Sequence, residues 1–285
     1  MALSVQTNVA SLTAQRNLSR STSRLNTSLE RLSTGLKINK ASDSASGLVI
    51  SETQKAEISG LEGAIANIDR AVNFTQTAES AMGEISDVLI AIRSLTVDSL
   101  NSGAHSASDL AANQAEIDNL LSTIDDVVGR TKFGSLNVFT NSASIFQTGA
   151  FSNETASFTV GALDSTHIGT GTANATVTDL SLADVTSAGS AAETLVAVDA
   201  AINQIVTARG DLGAFQKNTL QTTQSNLRSQ LQNLQEAESS LRDVDFQQEI
   251  AKFTNEQIRQ QASSTVLGLA NQSSQSILAL LQAGR

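Results

Sequence analysis

The stretch "LSRSTSRLNTSLERLSTGL", residues 18–36, decides the fold because its leucines return with helical spacing. Their alternation of four and three residues is typical of a helix that packs along one seam: Leu18, Leu25, Leu29, Leu32 and Leu36. An earlier apolar stripe, formed by Val5, Val9 and Leu12, is out of phase with these leucines, which indicates two stacked segments. Basic residues occupy other faces, and for each of them a solvated surface is the simpler interpretation: Arg16, Arg20, Arg24 and Arg31.

Longer helical patterns follow on both sides of the middle of the chain. A second helix is predicted from about Ser46 to Leu100, and its length is typical of a coiled coil. A shorter helix is predicted to end at Gly129, with one apolar seam: Leu110, Ile117, Leu121, Ile124 and Val128. Another long helix is predicted from about Ala191 to Leu241, and a new stripe begins beyond it at Phe246, Ile250 and Phe253.

The residues between Lys132 and Ser190 show a different pattern. The stretch "SIFQTGAFSNETASFTVGAL", residues 144–163, alternates as β-strands do around a turn at Asn153–Glu154, and "ATVTDLSL", residues 175–182, resembles another short strand. We therefore predict a mainly α fold, in which N- and C-terminal arms form a long antiparallel helical bundle around a small β-rich, hairpin-containing central lobe. The predicted segments are 1–38, 39–139, 140–190, 191–241 and 242–285.

The composition excludes several classes of protein. The 285 residues include no Cys, Pro, Trp or Tyr, so disulfides, thiolate metal sites and helix-breaking prolines are ruled out. A net charge of −10 argues against nucleic-acid binding, and no apolar run is long enough to cross a membrane. The first residues lack the basic head and apolar core of a cleavable signal, which alone would indicate a cytosolic protein.

The sequence offers no candidate active site. His105 and His167 are the two histidines, they lie far apart, and neither has carboxylates at metal-ligand spacing. No nucleophile elbow or phosphate-binding loop occurs. We therefore expect no catalysis, no cofactor and no metal, and we favour a structural role.

Several segments resemble one family, the bacterial flagellins. "SLERLSTGLKINKASDSASGL", residues 28–48, is similar to the ERLSSGLRIN signature of that family and to the residues that follow it. Segments 75–95, 114–138 and 209–218 continue the match, and 237–281 looks like the C-terminal region of flagellins. The matches cover both arms and leave out the middle, where flagellins vary.

The resemblance implies a structural subunit that polymerises into the bacterial flagellar filament and is secreted to the outside of the cell. The family's terminal helices line the inner tube of the filament, which implies a self-assembly surface in this chain: Val5, Val9, Leu12, Leu267, Ile277, Leu278, Leu280 and Leu281. The apolar C-terminus, "LANQSSQSILALLQAGR", would thus be covered by other copies. We expect both ends to become ordered helices only in the filament.

Further partners follow from the same resemblance. Flagellins are exported unfolded by the flagellar type III apparatus, with a chaperone on the C-terminal segment, and they assemble at the tip beside the cap and junction proteins. In the loop "INKASDSASG", residues 38–47, Asp43 or Ser44 is predicted to cap the next helix. The family adds that this loop, including Asn39, touches adjacent subunits.

Many flagellins bind an animal Toll-like receptor through their second and third helices. Leu95 and Glu116 match the motif of detected members, but Ala91 stands where that motif has an arginine, so weakened receptor binding is expected. The principal alternative to a filament subunit is a hook–filament junction protein. A filament-associated enzyme and a periplasmic, spirochaete-like filament are weaker alternatives, because nothing in the sequence requires them.

Overall fold

The computed structural model describes residues 8–101, 103–170 and 177–283, of which residues 273–283 are described as backbone only. Their contacts divide the chain into two units: a first made of Met1–Ala56 and Asn233–Arg285, and a second made of Glu57–Gln232. The long helices are α1 (Val9–Thr34), α2 (Ala45–Ser99), α3 (Ala107–Arg130), α4 (Ala188–Ala214), α5 (Thr222–Arg242) and α6 (Phe246–Ala283). A mainly α fold is confirmed.

In the first unit, α1 packs antiparallel to α6. The α1 helix is one continuous element within the described residues, and this replaces the expected break between two stacked segments. It begins where the Asn8 side chain accepts a hydrogen bond from the Ser11 N–H, and it ends at Gly35, whose φ of 74° is the left-handed conformation that glycine adopts most readily. Leu36 forms an isolated bridge with Asp243, so the chain that leaves α1 is tied to the chain that enters α6.

The second unit has an aliphatic core to which α2, α3 and α4 all contribute. The side chains of Ile85, Ile117 and Ile205 are completely buried in this core. At the start of α3, Ser106 and Asp109 form a reciprocal capping box. A π-helical segment, Phe215–Gln221, separates α4 from α5, so the predicted helix over 191–241 is present but not uniform.

Two antiparallel hairpins join this core. Strand β1 (Lys132–Phe133) pairs with β2 (Leu136–Asn137), and β3 (Ala143–Gln147) pairs with β4 (Thr155–Thr159). Phenylalanine rings attach the hairpins to the helices: Phe74 contacts Phe133 and Phe146, and Phe158 stacks on Phe215 with ring centroids 5.0 Å apart. The loop from β3 to β4 contains the expected turn at Asn153–Glu154.

The expected strand over 175–182 is wrong in its described part. Residues 171–176 lie outside the described residues, and Leu180–Leu182 form a 3-10 turn. The physical reason is local, because the Asp179 side chain accepts a hydrogen bond from the Ser181 N–H and thereby caps a helical turn. Leu180 and Val185 are fully buried in the helical core, so this part of the middle is not an exposed lobe.

Candidate functional site

The seam between α1 and α6 alternates between large and small or polar residues. On α1, half-buried Leu18, Leu25 and Leu32 alternate with a second row of buried small residues, Ala14, Ser21 and Ser28. On α6, the least exposed positions follow the same heptad spacing: Glu249, Phe253, Glu256, Gln260, Ser263, Leu267 and Ala270. Half of the seam is therefore polar, which is unusual for a coiled coil.

Two glutamates of α6 face two serines of α1 in this seam. Glu249 is 3% exposed, and its Oε1 accepts a hydrogen bond of 2.6 Å from the Ser28 hydroxyl. The Lys252 ammonium lies 3.4 Å from the other carboxylate oxygen. One heptad further along, Glu256 Oε2 accepts a hydrogen bond of 3.0 Å from the Ser21 hydroxyl. Each carboxylate thus has a dedicated donor on the opposite helix, which offsets the cost of its desolvation.

The two pairs together define the register of the helices. Ser21 and Ser28 are one heptad apart, as are Glu256 and Glu249, so both pairs form only in one alignment. If α6 moved by one heptad in one direction, Glu256 would face Ala14. The opposite shift would carry Glu249 past the end of α1. Either slip leaves one of these carboxylates, the half-buried Glu256 or the buried Glu249, without its hydroxyl, and that penalty selects the observed register.

The outward faces of the same helices carry exposed apolar side chains. Val9 and Leu12 on α1 are 63% and 44% exposed, and Leu269 on α6 is 69% exposed. Ile250, Ile258 and Val266 are also exposed, at different angles around α6. A helix that is apolar on several faces is typical of one that becomes enclosed.

The predicted self-assembly residues are therefore placed as follows. Val9 and Leu12 lie on the outward surface, whereas Leu267 is half-buried at a seam position. Val5 lies outside the described residues. The backbone of the last four predicted positions belongs to α6, but their side chains lie outside the described part: Ile277, Leu278, Leu280 and Leu281.

The loop between α1 and α2 is held by its own side chains. The Asp43 carboxylate accepts hydrogen bonds from the N–H groups of Lys40 and Asn39, at 3.0 Å and 3.1 Å. These two bonds lower the pKa of Asp43 below its ordinary value. Their stabilisation of the loop is therefore fully present when the pH is above the ordinary pKa of an aspartate, and it is lost as the pH falls through the lowered pKa. Ser44 is the residue that caps α2, through a bond of 3.1 Å from the Gly47 N–H to its hydroxyl.

A buried arginine supports this loop from α5. Arg242 is 8% exposed, and its guanidinium donates to Ser51 at 3.1 Å and to Glu52 at 2.9 Å. Its backbone carbonyl accepts a hydrogen bond of 2.6 Å from the Lys37 N–H. The start of α2, the end of α5 and the loop are thus joined around one cation.

The positions compared with the receptor motif lie in the second unit. Leu95 on α2 is half-buried and packs against the core, whereas Ala91 on α2 and Glu116 on α3 are exposed. Position 91 therefore carries an uncharged side chain where the motif has a cation.

Among the described residues, no group of three or more His, Cys, Asp and Glu side chains could hold a metal ion. The helices of the described part also include none with the length and apolar character needed to span a membrane.

Sequence reasoning missed the Ser–Glu pairs. Leucine spacing placed a seam on α1, but no equivalent row of leucines exists on α6, where Phe253 and Leu267 are separated by Gln260. The available signal was the heptad spacing of Glu249 and Glu256, each of which lies four residues before a member of that row, Phe253 and Gln260.

Comparison with known proteins agrees with the pattern of both arms. The family model for the bacterial flagellin N-terminal helical region matches residues 5–144, and the model for the bacterial flagellin C-terminal helical region matches residues 195–281. The flagellar filament 33 kDa core protein of Treponema phagedenis is 36% identical, with 96% of this chain and 98% of that protein covered. A flagellin of Bacillus subtilis is 37% identical over the same shares of the two chains.

The first of these relatives is a flagellar filament protein by name and the second is a flagellin by name, and nothing in the comparisons favours the junction alternative. The chain therefore belongs to the bacterial flagellin family, and it is a structural subunit of the flagellar filament.

Proposed function

We propose that the α1–α6 pair is the part of this subunit that builds the inner tube of the filament. The observation that carries this proposal is the exposure of apolar side chains on its outward faces, led by Leu269 at 69% and Val9 at 63%. Water is a poor environment for these side chains, and contact with neighbouring copies removes them from it. The Ser–Glu seam holds the two helices in one register while their outer faces make those contacts.

Other roles follow for the remaining parts of the chain. The five predicted segments divide it into inner-tube helices, a core bundle and a variable region. The loop at Asn39, Asp43 and Ser44 contacts adjacent subunits. A flagellar export chaperone shields the C-terminal segment before the unfolded chain passes through the type III apparatus, and assembly takes place beneath the cap of an external filament. The absence of Cys and Pro supports this route, since neither disulfides nor slow prolyl isomerisation delay folding after export.

We expect Leu269→Ser to raise the critical concentration for elongation of filament seeds about tenfold or more. Burial of one leucine contributes about 1.5–3 kcal/mol, and about 1.4 kcal/mol corresponds to a factor of ten. The matched control is Leu182→Ser, because Leu182 is also exposed, at 51%, but lies in the second unit. Sedimentation after seeded growth gives both values, and equal critical concentrations for the two variants would contradict the proposal.

Removal of the Ser28 hydroxyl should destabilise the assembled helix pair. Ser28→Ala leaves the buried Glu249 carboxylate without its donor on α1, which costs about 1–3 kcal/mol. Ser19→Ala is the control, because Ser19 is exposed on the same helix and the change in helix propensity is the same. Thermal dissociation of filaments, followed by circular dichroism, should show a lower midpoint for Ser28→Ala alone. A midpoint that matches the control would mean that the seam pair adds nothing.

The receptor proposal concerns the second unit alone. We propose that the missing cation at Ala91 weakens recognition by the flagellin-sensing Toll-like receptor. Ala91→Arg restores a guanidinium at an exposed position of α2, so its half-maximal dose in receptor reporter cells should fall below that of the unchanged protein. Ile90→Arg, one residue away and also exposed, controls for added charge. If both variants shift the dose equally, position 91 has no specific part in recognition.

A further inference from the structure

The two units differ strongly in charge. The first unit has eleven Lys and Arg against nine Asp and Glu, a net charge of +2, whereas the second has seven against nineteen, a net charge of −12. Most of the acidity of the chain is therefore in the second unit. Within the first unit, basic and acidic side chains are concentrated at two different places, and these two places are candidates for contact between copies of this chain.

Three arginines converge on a groove between α1 and α6. The groove has a volume of about 360 Å³. Its lining includes Arg20 and Arg24 from α1 and Arg259 from α6, together with Ser21 and Glu256. We call it the basic groove. Arg24 lies 3.6 Å from Glu256, whose other oxygen already accepts the Ser21 hydrogen bond. In the part of the chain that the structure describes, Arg20 and Arg259 have neither an ion pair nor a hydrogen bond.

Carboxylates are concentrated at another place in the same unit. Glu236 on α5 and Asp243 and Asp245 between α5 and α6 are all exposed. We call these three residues the acidic junction. Asp243 accepts one hydrogen bond from the Ser239 hydroxyl, and Asp245 accepts one from the Gln248 N–H. A carboxylate has about four acceptor positions, so both aspartates can still bind an arginine.

The basic groove and the acidic junction of one copy are too far apart to form ion pairs with each other. Asp245 and Arg259 are fourteen residues apart on or beside the same α6 helix. At about 1.5 Å per residue, that separation is roughly 20 Å along the helix axis. Two copies side by side at the same height would place basic groove beside basic groove. A copy displaced along the axis by about the same distance would place an acidic junction there instead.

We propose that the basic groove receives the acidic junction of a second copy of this chain, displaced along the helix axis by about 20 Å. This inference rests on the proposed role of the α1–α6 pair in assembly and names the charged contact that sets the axial offset. Because the two surfaces differ, the contact is heterologous, and a heterologous contact that does not close generates an open helical polymer. The apolar faces supply adhesion, and the charges select which neighbour is correctly placed.

The proposal is tested by charge reversal on each side. The groove variant carries Arg20→Glu and Arg259→Glu, and the junction variant carries Glu236→Lys and Asp243→Lys, which leaves the helix cap at Asp245 intact. Each variant alone should elongate wild-type seeds at least about tenfold more slowly, because like charges then meet. An equal mixture of the two should recover a rate within about threefold of wild type, since each altered surface finds an opposite charge on the other variant.

The control variant carries Lys55→Glu and Lys217→Glu, which makes the same change in net charge at exposed positions outside both the basic groove and the acidic junction. It should elongate seeds at nearly the wild-type rate. A groove variant that grows as fast as this control would overturn the proposal, as would a slow groove variant that the junction variant does not rescue. Wild-type protein that forms no filaments would instead contradict the proposed function, so the two failures are distinguishable.

A second measurement does not depend on how well the reversed variants fold. The milder pair Arg20→Gln and Arg259→Gln removes the attraction and introduces no repulsion. Elongation by wild-type protein should slow as sodium chloride increases from 50 to 500 mM, because salt screens exposed charges over about 10 Å or less. The glutamine variant should show a distinctly smaller salt dependence. Equal salt dependence in the two proteins would exclude a charged contact at the groove.

Discussion

The hydrogen bonds from Ser28 to the buried Glu249 and from Ser21 to the half-buried Glu256 are the interactions on which the arrangement of both termini depends. A buried carboxylate without a donor is costly, so these bonds select one alignment out of the several that a heptad repeat permits. They contribute little net stability, because each donor and carboxylate loses its contact with water when the pair forms. The Ser–Glu bonds therefore determine the register of α1 and α6. Much of the free energy that holds these two helices together must come from contacts with neighbouring copies.

The two units illustrate different ways of holding helices together. In the second unit, side chains such as Ile92 and Ile124 are fully buried, and a dense aliphatic core stabilises the helices without any other copy. In the first unit, half of the seam is polar and large side chains such as Leu269 face outward. This division suits a filament subunit, because one part can fold alone while the other completes its packing only when neighbours are present.

Much of the fold could be predicted from the sequence because leucine and isoleucine spacing is a strong signal in long helices. The bounds of α2 differ from the prediction by only one residue at each end, and the β3–β4 hairpin follows from its alternating pattern. Asp179 could not be recognised as a helical cap from "ATVTDLSL", since alternation alone resembles a strand. The serine partners of Glu249 and Glu256 lie on the opposite helix, α1, so the sequence pattern of α6 alone does not identify them.

The most direct test of this account is amide hydrogen exchange on the monomer and on the assembled filament. In the monomer, we expect the amides of Leu25 and Leu267 to exchange rapidly, and that of Ile92 in the second unit to be strongly protected. In the filament all three should be strongly protected, because neighbouring copies cover the α1–α6 pair. If Leu25 and Leu267 were as protected in the monomer as Ile92, the pair would be stable by itself, and the account would be wrong.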